Sequence, residues 1–369
     1  MSGVADRFRR FVLPGFAFKA VVIGGGYATG REIAEFFLPA GPWGGLAAMV
    51  LATLIWSGVA AATFWYAWRV GAQDYRHFFA HLLGRFGIAF ELLYLVFVVL
   101  ILAVFGAAAG AIGVTTLGLP PAAGTIALML GIVACVAAGN NGVERVFLWV
   151  SVLLYATYAL FFGLAFAGVG ARIGDAFATA PAPADAGWVV GGITYAGYNI
   201  VGAVIVLPAT RHFRRGSDAV AAGLIAGPLA MLPALLFFIG MVAFLPDIAG
   251  AVLPSDYLLV RLGQPWFHLL FQLMIFAALL ESGTGGVHAI NERVAHTRGI
   301  ALSPARRALL ALALLAPCML VAERVGLVAL IASGYRALAI GVILIFVVPL
   351  MATILARRVR APLPRPETA

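Results

Sequence analysis

The sequence predicts an all-α membrane protein of ten transmembrane helices, built as a five-plus-five inverted repeat with discontinuous helices 1 and 6. Three observations predict it: a very apolar composition, an asymmetric placement of arginine, and two interrupted apolar runs at matching positions. Of 369 residues 63% are hydrophobic and 11% charged, and the mean hydropathy is +1.04. No water-soluble domain can enclose that much apolar surface, so the chain reads as one multi-pass unit.

A helix needs about 20 apolar residues to cross the hydrocarbon core. Apolar runs between polar or Gly/Pro punctuation give candidates at 16–38, 44–70, 86–115, 122–139, 145–170, 187–209, 217–245, 265–292, 305–322 and 326–355. With both termini cytoplasmic, nineteen Arg and Lys residues fall inside and three outside, while Arg31 and Arg336 lie within spans. That bias fits ten spans in a bacterial inner membrane. The expected organisation is a single domain over 1–369: a first repeat within 1–170, a second over 187–355, and a cytoplasmic tail at 356–369. Arg7, Arg9 and Arg10 precede the first run without a small-residue cleavage site, so it reads as an uncleaved helix. Trp43, Trp188 and Trp266 fall at outer boundaries, as aromatic-belt residues do. Cys135 and Cys318 sit inside apolar runs and read as core residues.

The first run contains VVIGGGYATGREIAEFF, Val21 to Phe37. Consecutive glycines cover several faces of a helix, so Gly24, Gly25 and Gly26 with Gly30 suit an unwound backbone better than one packing face. The sixth run, Val189 to Ala209, carries Tyr195, Gly197, Tyr198 and Asn199. An offset of 169 sets Leu38-Pro39-Ala40 on Leu207-Pro208-Ala209, and Gly30 on Asn199. The two lie five spans apart in order, so a repeated half enters the membrane inverted. Paired interruptions of that kind point to a transporter's solute site. For Gly191 and Gly192 the alternative is close helix packing.

GGGYATGREIAEFF and the later YAGYN resemble the bacterial YkvI-type membrane proteins, an uncharacterised family. The layout resembles the wider amino acid–polyamine–organocation superfamily with the LeuT fold. That resemblance implies a midplane site between spans one, three, six and eight, and alternating access; it implies no particular substrate.

Freed peptide groups at the first interruption could hold both ends of an amino acid, with Tyr27, Thr29, Tyr195, Tyr198 and Asn199 adding polar groups or merely packing. In span eight Glu281, Thr284, His288 and Asn291 recur at helical spacing as a polar stripe. A carboxylate at that depth is a candidate functional group, and protonation of Glu281 could drive coupling. Alternatively it pairs structurally with Arg336. The LeuT resemblance offers a sodium site on span eight, here Ser282 and Thr284, although these are not an adjacent hydroxyl pair. It also offers an outer gate, with Glu32 or Glu35 closing onto Arg336; the competing pairing is Arg31 with Glu35 at i and i+4.

The expected function is a secondary active transporter, a symporter moving a small amino-acid-like or carboxylate solute with protons or sodium. The alternatives are a non-transporting receptor of the same fold, or a channel. Phosphate loops, zinc-protease and nucleophile-elbow motifs are missing, so neither an enzyme nor an ATP-driven pump is expected. No resident cofactor is expected, nor a nucleic-acid or obligate protein partner beyond the solute and the bilayer.

Overall fold

The first apolar segment is helical only in pieces. The computed structural model describes residues 3–183, 185–298 and 302–356, so the expected tail from 357 onward lies outside the described residues. Helix α1 (Gly3–Arg7) runs through a π-helical turn into α2 (Leu13–Val22). Two short helices follow, α3 (Gly25–Ala28) and α4 (Arg31–Phe36). Then come α5 (Gly41–Val70), α6 (Tyr75–Leu83), α7 (Gly87–Leu117), α8 (Pro121–Ala137) and α9 (Asn140–Thr179). The second half holds α10 (Gly187–Asn199), α11 (Gly202–Ile205), α12 (Gly216–Val242), α13 (Pro254–Arg261), α14 (Pro265–Arg298) and α15 (Pro304–Val325). The last rod joins α16 (Leu327–Ala329), α17 (Tyr335–Val342) and α18 (Val348–Leu355) through two π-helical turns.

Among the described residues eight helices are long and apolar enough to cross a membrane, and α8 is a shorter apolar helix. Lipid-facing side chains need no polarity, which is why Leu54, Ile88, Leu92, Leu130, Leu273 and Leu344 are exposed. The protein is a multi-pass membrane protein.

The packing rests on small residues. α5 lies along α12, α2 also lies on α12, and α10 lies on α5; α7 packs on α15, and α8 on α14. Where α5 meets α12, a Cβ on Gly223 would stand 2.2 Å from the Ala61 nitrogen, and one on Gly227 2.6 Å from the Thr53 carbonyl oxygen. These approaches bring backbones together as small-xxx-small faces do. Ser57 Oγ adds a 3.0 Å hydrogen bond to the Leu224 carbonyl. Gly191 and Gly192 are packing residues too: a Cβ on them would stand 2.1 Å from the Phe36 carbonyl oxygen and 2.7 Å from that of Ala48.

A charge cluster fixes the chain's entry. Arg10 donates to both oxygens of Asp218 at 3.2 and 2.7 Å, and the backbone N–H groups of Arg214 and Arg215 donate to the same carboxylate. Arg214 in turn reaches Asp6 at 2.7 Å. At the same end of the molecule Glu91 pairs with Arg76 and Arg293, tying α6, α7 and α14 together.

Adding volume at the α5–α12 contact forces backbones apart, at a cost of about 1–3 kcal/mol in soluble cores. Gly223→Val is therefore expected to lower the detergent-solubilised unfolding temperature by several degrees, read by tryptophan fluorescence. Gly58→Val, on the same helix pair but with open space around its Cβ, serves as the control and should leave it nearly unchanged.

Candidate functional site

The first interruption has two parts. α2 ends at Ile23, whose φ of −75° and ψ of 74° make an inverse γ-turn, closed by Gly24 N–H donating to the Val22 carbonyl at 2.8 Å. After α3 the chain turns again at Gly30, which has φ +75°. A Cβ there would stand 2.6 Å from the Phe237 ring, so glycine is needed both for backbone sign and for space. The expected unwinding through Gly24–Gly25–Gly26 is thus corrected: Gly25 and Gly26 open a short helix, and the breaks flank it.

The second interruption differs more. Residues 194–199 lie within the unbroken α10, and the chain departs from helix only at Ile200 and Val201, which keep right-handed dihedrals. The physical reason is that the glycine of YAGYN serves contact: a Cβ on Gly197 would meet Ala339 at 3.0 Å and Ile343 at 3.1 Å. The Asn199 side-chain amide donates to the Tyr195 carbonyl at 3.1 Å, one turn back on the same helix. The matched Leu-Pro-Ala triplets do adopt one local structure, since 38–40 and 207–209 both lie in 3-10 turns.

A cavity of about 450 Å³ opens beside the first break. α7 lines it with Tyr94, Phe97, Val98, Ile101, Leu102 and Phe105; α14 lines it with Ala278, Glu281, Ser282, Gly285, Gly286 and Ala289. Both sets repeat at three and four residues, one face of a helix each. Ile23, Gly24, Glu32, Tyr198, Asn199 and Tyr335 close its head, and Lys19 lies one turn nearer the N-terminus. From Glu281 to the exposed Ala289 the α14 wall spans about 12 Å, at 1.5 Å per residue. The cavity therefore runs towards the end that carries the N-terminus, α6 and the Arg10 cluster.

The opposite end is covered. Segment 247–261 lies over the second turn of the break: Ser255 N–H donates to the Thr29 carbonyl at 3.0 Å. The Arg31 guanidinium donates to the carbonyls of Ala249 and Ala251 at 3.0 and 2.9 Å, and to Glu35 at 2.8 Å. Arg31 is only 6% exposed, so these charge-assisted bonds are sheltered from water.

Of the residues singled out in the sequence, Gly24, Glu32, Tyr198, Asn199, Glu281 and Ser282 meet at the cavity. Tyr27, Thr29, Gly30, Tyr195 and Gly197 do not line it. Tyr195 packs among Phe37, Trp56 and Tyr198, and the hydroxyls of Tyr27 and Tyr195 have no hydrogen-bond partner among the described residues. Thr284 is fully buried beside Cys135, away from the cavity, so the sodium pair Ser282 and Thr284 is split between two faces. Asn291 likewise turns away, donating to the Arg307 carbonyl at 3.0 Å. Glu281 makes no hydrogen bond or ion pair with a described residue, so the alternative pairing with Arg336 is not formed.

The expected gate is also corrected. Arg336 is exposed on its helix, Glu35 is taken by Arg31, and Glu32 accepts the Tyr198 hydroxyl at 2.5 Å. Tyr335, Leu338, Ala339, Val342 and Phe346 form the inward face of the last rod, which turns Arg336 outward. That apolar spacing was available in the sequence and points to Tyr335, the residue missed at the cavity head. The Arg31 cover, by contrast, uses backbone carbonyls of a loop, which leave no trace in residue types.

No protein-family model matches the sequence. It is 23% identical over 289 residues to the uncharacterised membrane protein YkvI of Bacillus subtilis (strain 168), covering 76% of this chain and 79% of that one. Among solved structures it resembles MhsT in complex with L-phenylalanine, with a TM-score of 0.62 and 18% identity over 93% of this chain and 87% of that one. A mutant of the manganese transporter of Eremococcus coleocola matches with a TM-score of 0.53 and 13% identity, over 93% of this chain and 78% of the other. The chain has the LeuT fold. Within the LeuT fold as this chain builds it, the interruption of the first segment carries the cavity, and the sixth segment contributes through Tyr198 and Asn199.

Each hydrogen bond to a charged group contributes about 1.5–3 kcal/mol. Arg31→Gln should therefore loosen the cover and raise maleimide labelling of a Ser255→Cys probe, buried in the parent protein, roughly tenfold or more. Arg336→Gln in the same background should leave labelling unchanged.

Proposed function

We propose that this protein is a secondary active transporter that moves a small organic solute across the bacterial inner membrane by alternating access. Ten crossings with both termini cytoplasmic belong to this reading. The observation that carries it is the one-sided cavity: it begins at an interrupted membrane segment, reaches one end of the molecule, and is covered at the other by segment 247–261. With the arginine-rich side inside, that is an inward-facing arrangement.

The inverted repeat is supported by which rods touch. Number the apolar segments one to ten and exchange the first five with the last five. The contact of one with seven then becomes that of six with two, and three with nine becomes eight with four. Five with eight becomes ten with three, and two with seven maps onto itself; all of these contacts occur. Contacts that survive this exchange are what two inverted copies of one half would make, and they support the inverted-repeat reading.

Of the solute classes read from the sequence, the amino-acid-like one suits the walls better than a lone carboxylate, because Glu32 and Glu281 both line the cavity. For coupling, protons fit better than sodium. Glu281 faces the cavity without a partner among the described residues, whereas Thr284 is turned away from Ser282. A carboxyl group there can take up a proton on one side and release it on the other.

Purified protein in liposomes should accumulate solute down an imposed proton gradient, and a protonophore should abolish accumulation. Glu281→Gln is expected to cut gradient-driven uptake at least tenfold while leaving solute binding within about threefold. Saturable binding without uptake would replace the transporter with a receptor. A strict sodium requirement, with Glu281→Gln fully active, would remove the proton step.

A further inference from the structure

We infer that the cavity takes an organic ammonium: a small amine with an apolar or aromatic body, its nitrogen held by Glu32 beneath Tyr198 and Tyr335. This deepens the transport reading, and rests on it only for the claim that the amine is carried across.

The argument starts from charge. Glu32 is 3% exposed and Glu281 also lines the cavity, on α14, against one ammonium among the described wall residues, Lys19. A buried carboxyl group is stable as an anion only with compensating donors or a cation. Glu32 has one donor, the Tyr198 hydroxyl, and no described residue bonds to its other oxygen. Arg31, its neighbour in sequence, is committed to Glu35 and to two loop carbonyls. The cation that Glu32 lacks is therefore not supplied by the adjacent side chain.

The surroundings have the form that recognises ammonium groups. Tyr198 and Tyr335 pack with ring centroids 4.3 Å apart and planes tilted by 31° beside Glu32, and Phe97, Phe105 and Tyr94 continue the wall. Tyr335 is 1% exposed, and its hydroxyl, at the cavity head, has no hydrogen-bond partner among the described residues. Aromatic faces attract cations, more strongly once both are out of water. Below them Ile23, Val98, Ile101 and Leu102 give an apolar chamber for the body of the ligand, in a volume of about 450 Å³, ordinary for a small-molecule site. A carboxylate head placed beside Glu32 would meet like charge.

The test is calorimetric titration of the purified full chain in nanodiscs with phenethylamine, its trimethylammonium analogue and 3-phenylpropionate. The amine should bind saturably and the propionate should not. The trimethylammonium analogue should bind within tenfold of the amine, since cation–π attraction does not need an N–H. Glu32→Gln should weaken the amine at least tenfold, while Glu32→Asp keeps measurable binding. Should Glu32→Gln fail to fold, Tyr198→Phe, which keeps the carboxylate and the ring, is expected to shift amine affinity at least threefold without admitting the propionate. Propionate binding as tight as the amine, no amine binding, or amine affinity unchanged in both Glu32→Gln and Tyr198→Phe overturns the assignment. Amine binding without uptake into liposomes leaves the ammonium site standing and removes transport. Uptake of a carboxylate with no amine binding does the reverse.

Discussion

The structure depends on one constraint: a peptide group without a hydrogen-bond partner cannot face hydrocarbon. Each such group costs several kcal/mol in lipid, so a spanning helix can be interrupted only where protein or a polar cavity takes over the lost bonds. Here the interruption is split into small steps. The inverse γ-turn at Ile23 keeps the Gly24 N–H bonded, α3 recovers a helical turn, and Ser255 N–H binds the carbonyl of Thr29. Glycine at position 30 permits the left-handed turn that starts α4. The break is therefore held by neighbouring chain wherever it does not open onto the cavity.

Small residues make that enclosure possible. Gly223 and Gly227 let α12 touch α5 backbone to backbone, and Gly191 and Gly192 let α10 approach the chain around Phe36 and α5. On α14, Gly285, Gly286 and Ala289 do the opposite and leave room. The same residue type thus closes some contacts and opens others; the side chains opposite decide which.

The sequence was most legible where a residue pattern maps onto a repeated geometry. Apolar runs located the long helices, the triple glycine located the first break, and the Leu-Pro-Ala repeat located two equivalent 3-10 turns. It was less legible where a residue has two physical uses. The glycine of YAGYN looked like a break and is a contact with Ala339, so α10 continues through Asn199. Polar residues on α14 looked like one stripe, yet Glu281 faces the cavity while Thr284 and Asn291 face neighbouring helices. An α-helix turns 100° per residue, so a stripe spaced by three, four and three drifts across faces. The Arg31 cover was not legible, because its partners are main-chain carbonyls.

The fork of Arg10 on Asp218 has a mechanical meaning for the whole molecule. It fastens the entry helix to α12, and α12 is already joined along its length to α5. Those rods make one block; α7, α8, α14 and α15, packed on each other, make a second. The cavity lies along the seam between the two. Sliding or rocking at that seam would change access while each block keeps its internal contacts, so the motion need not melt any long helix.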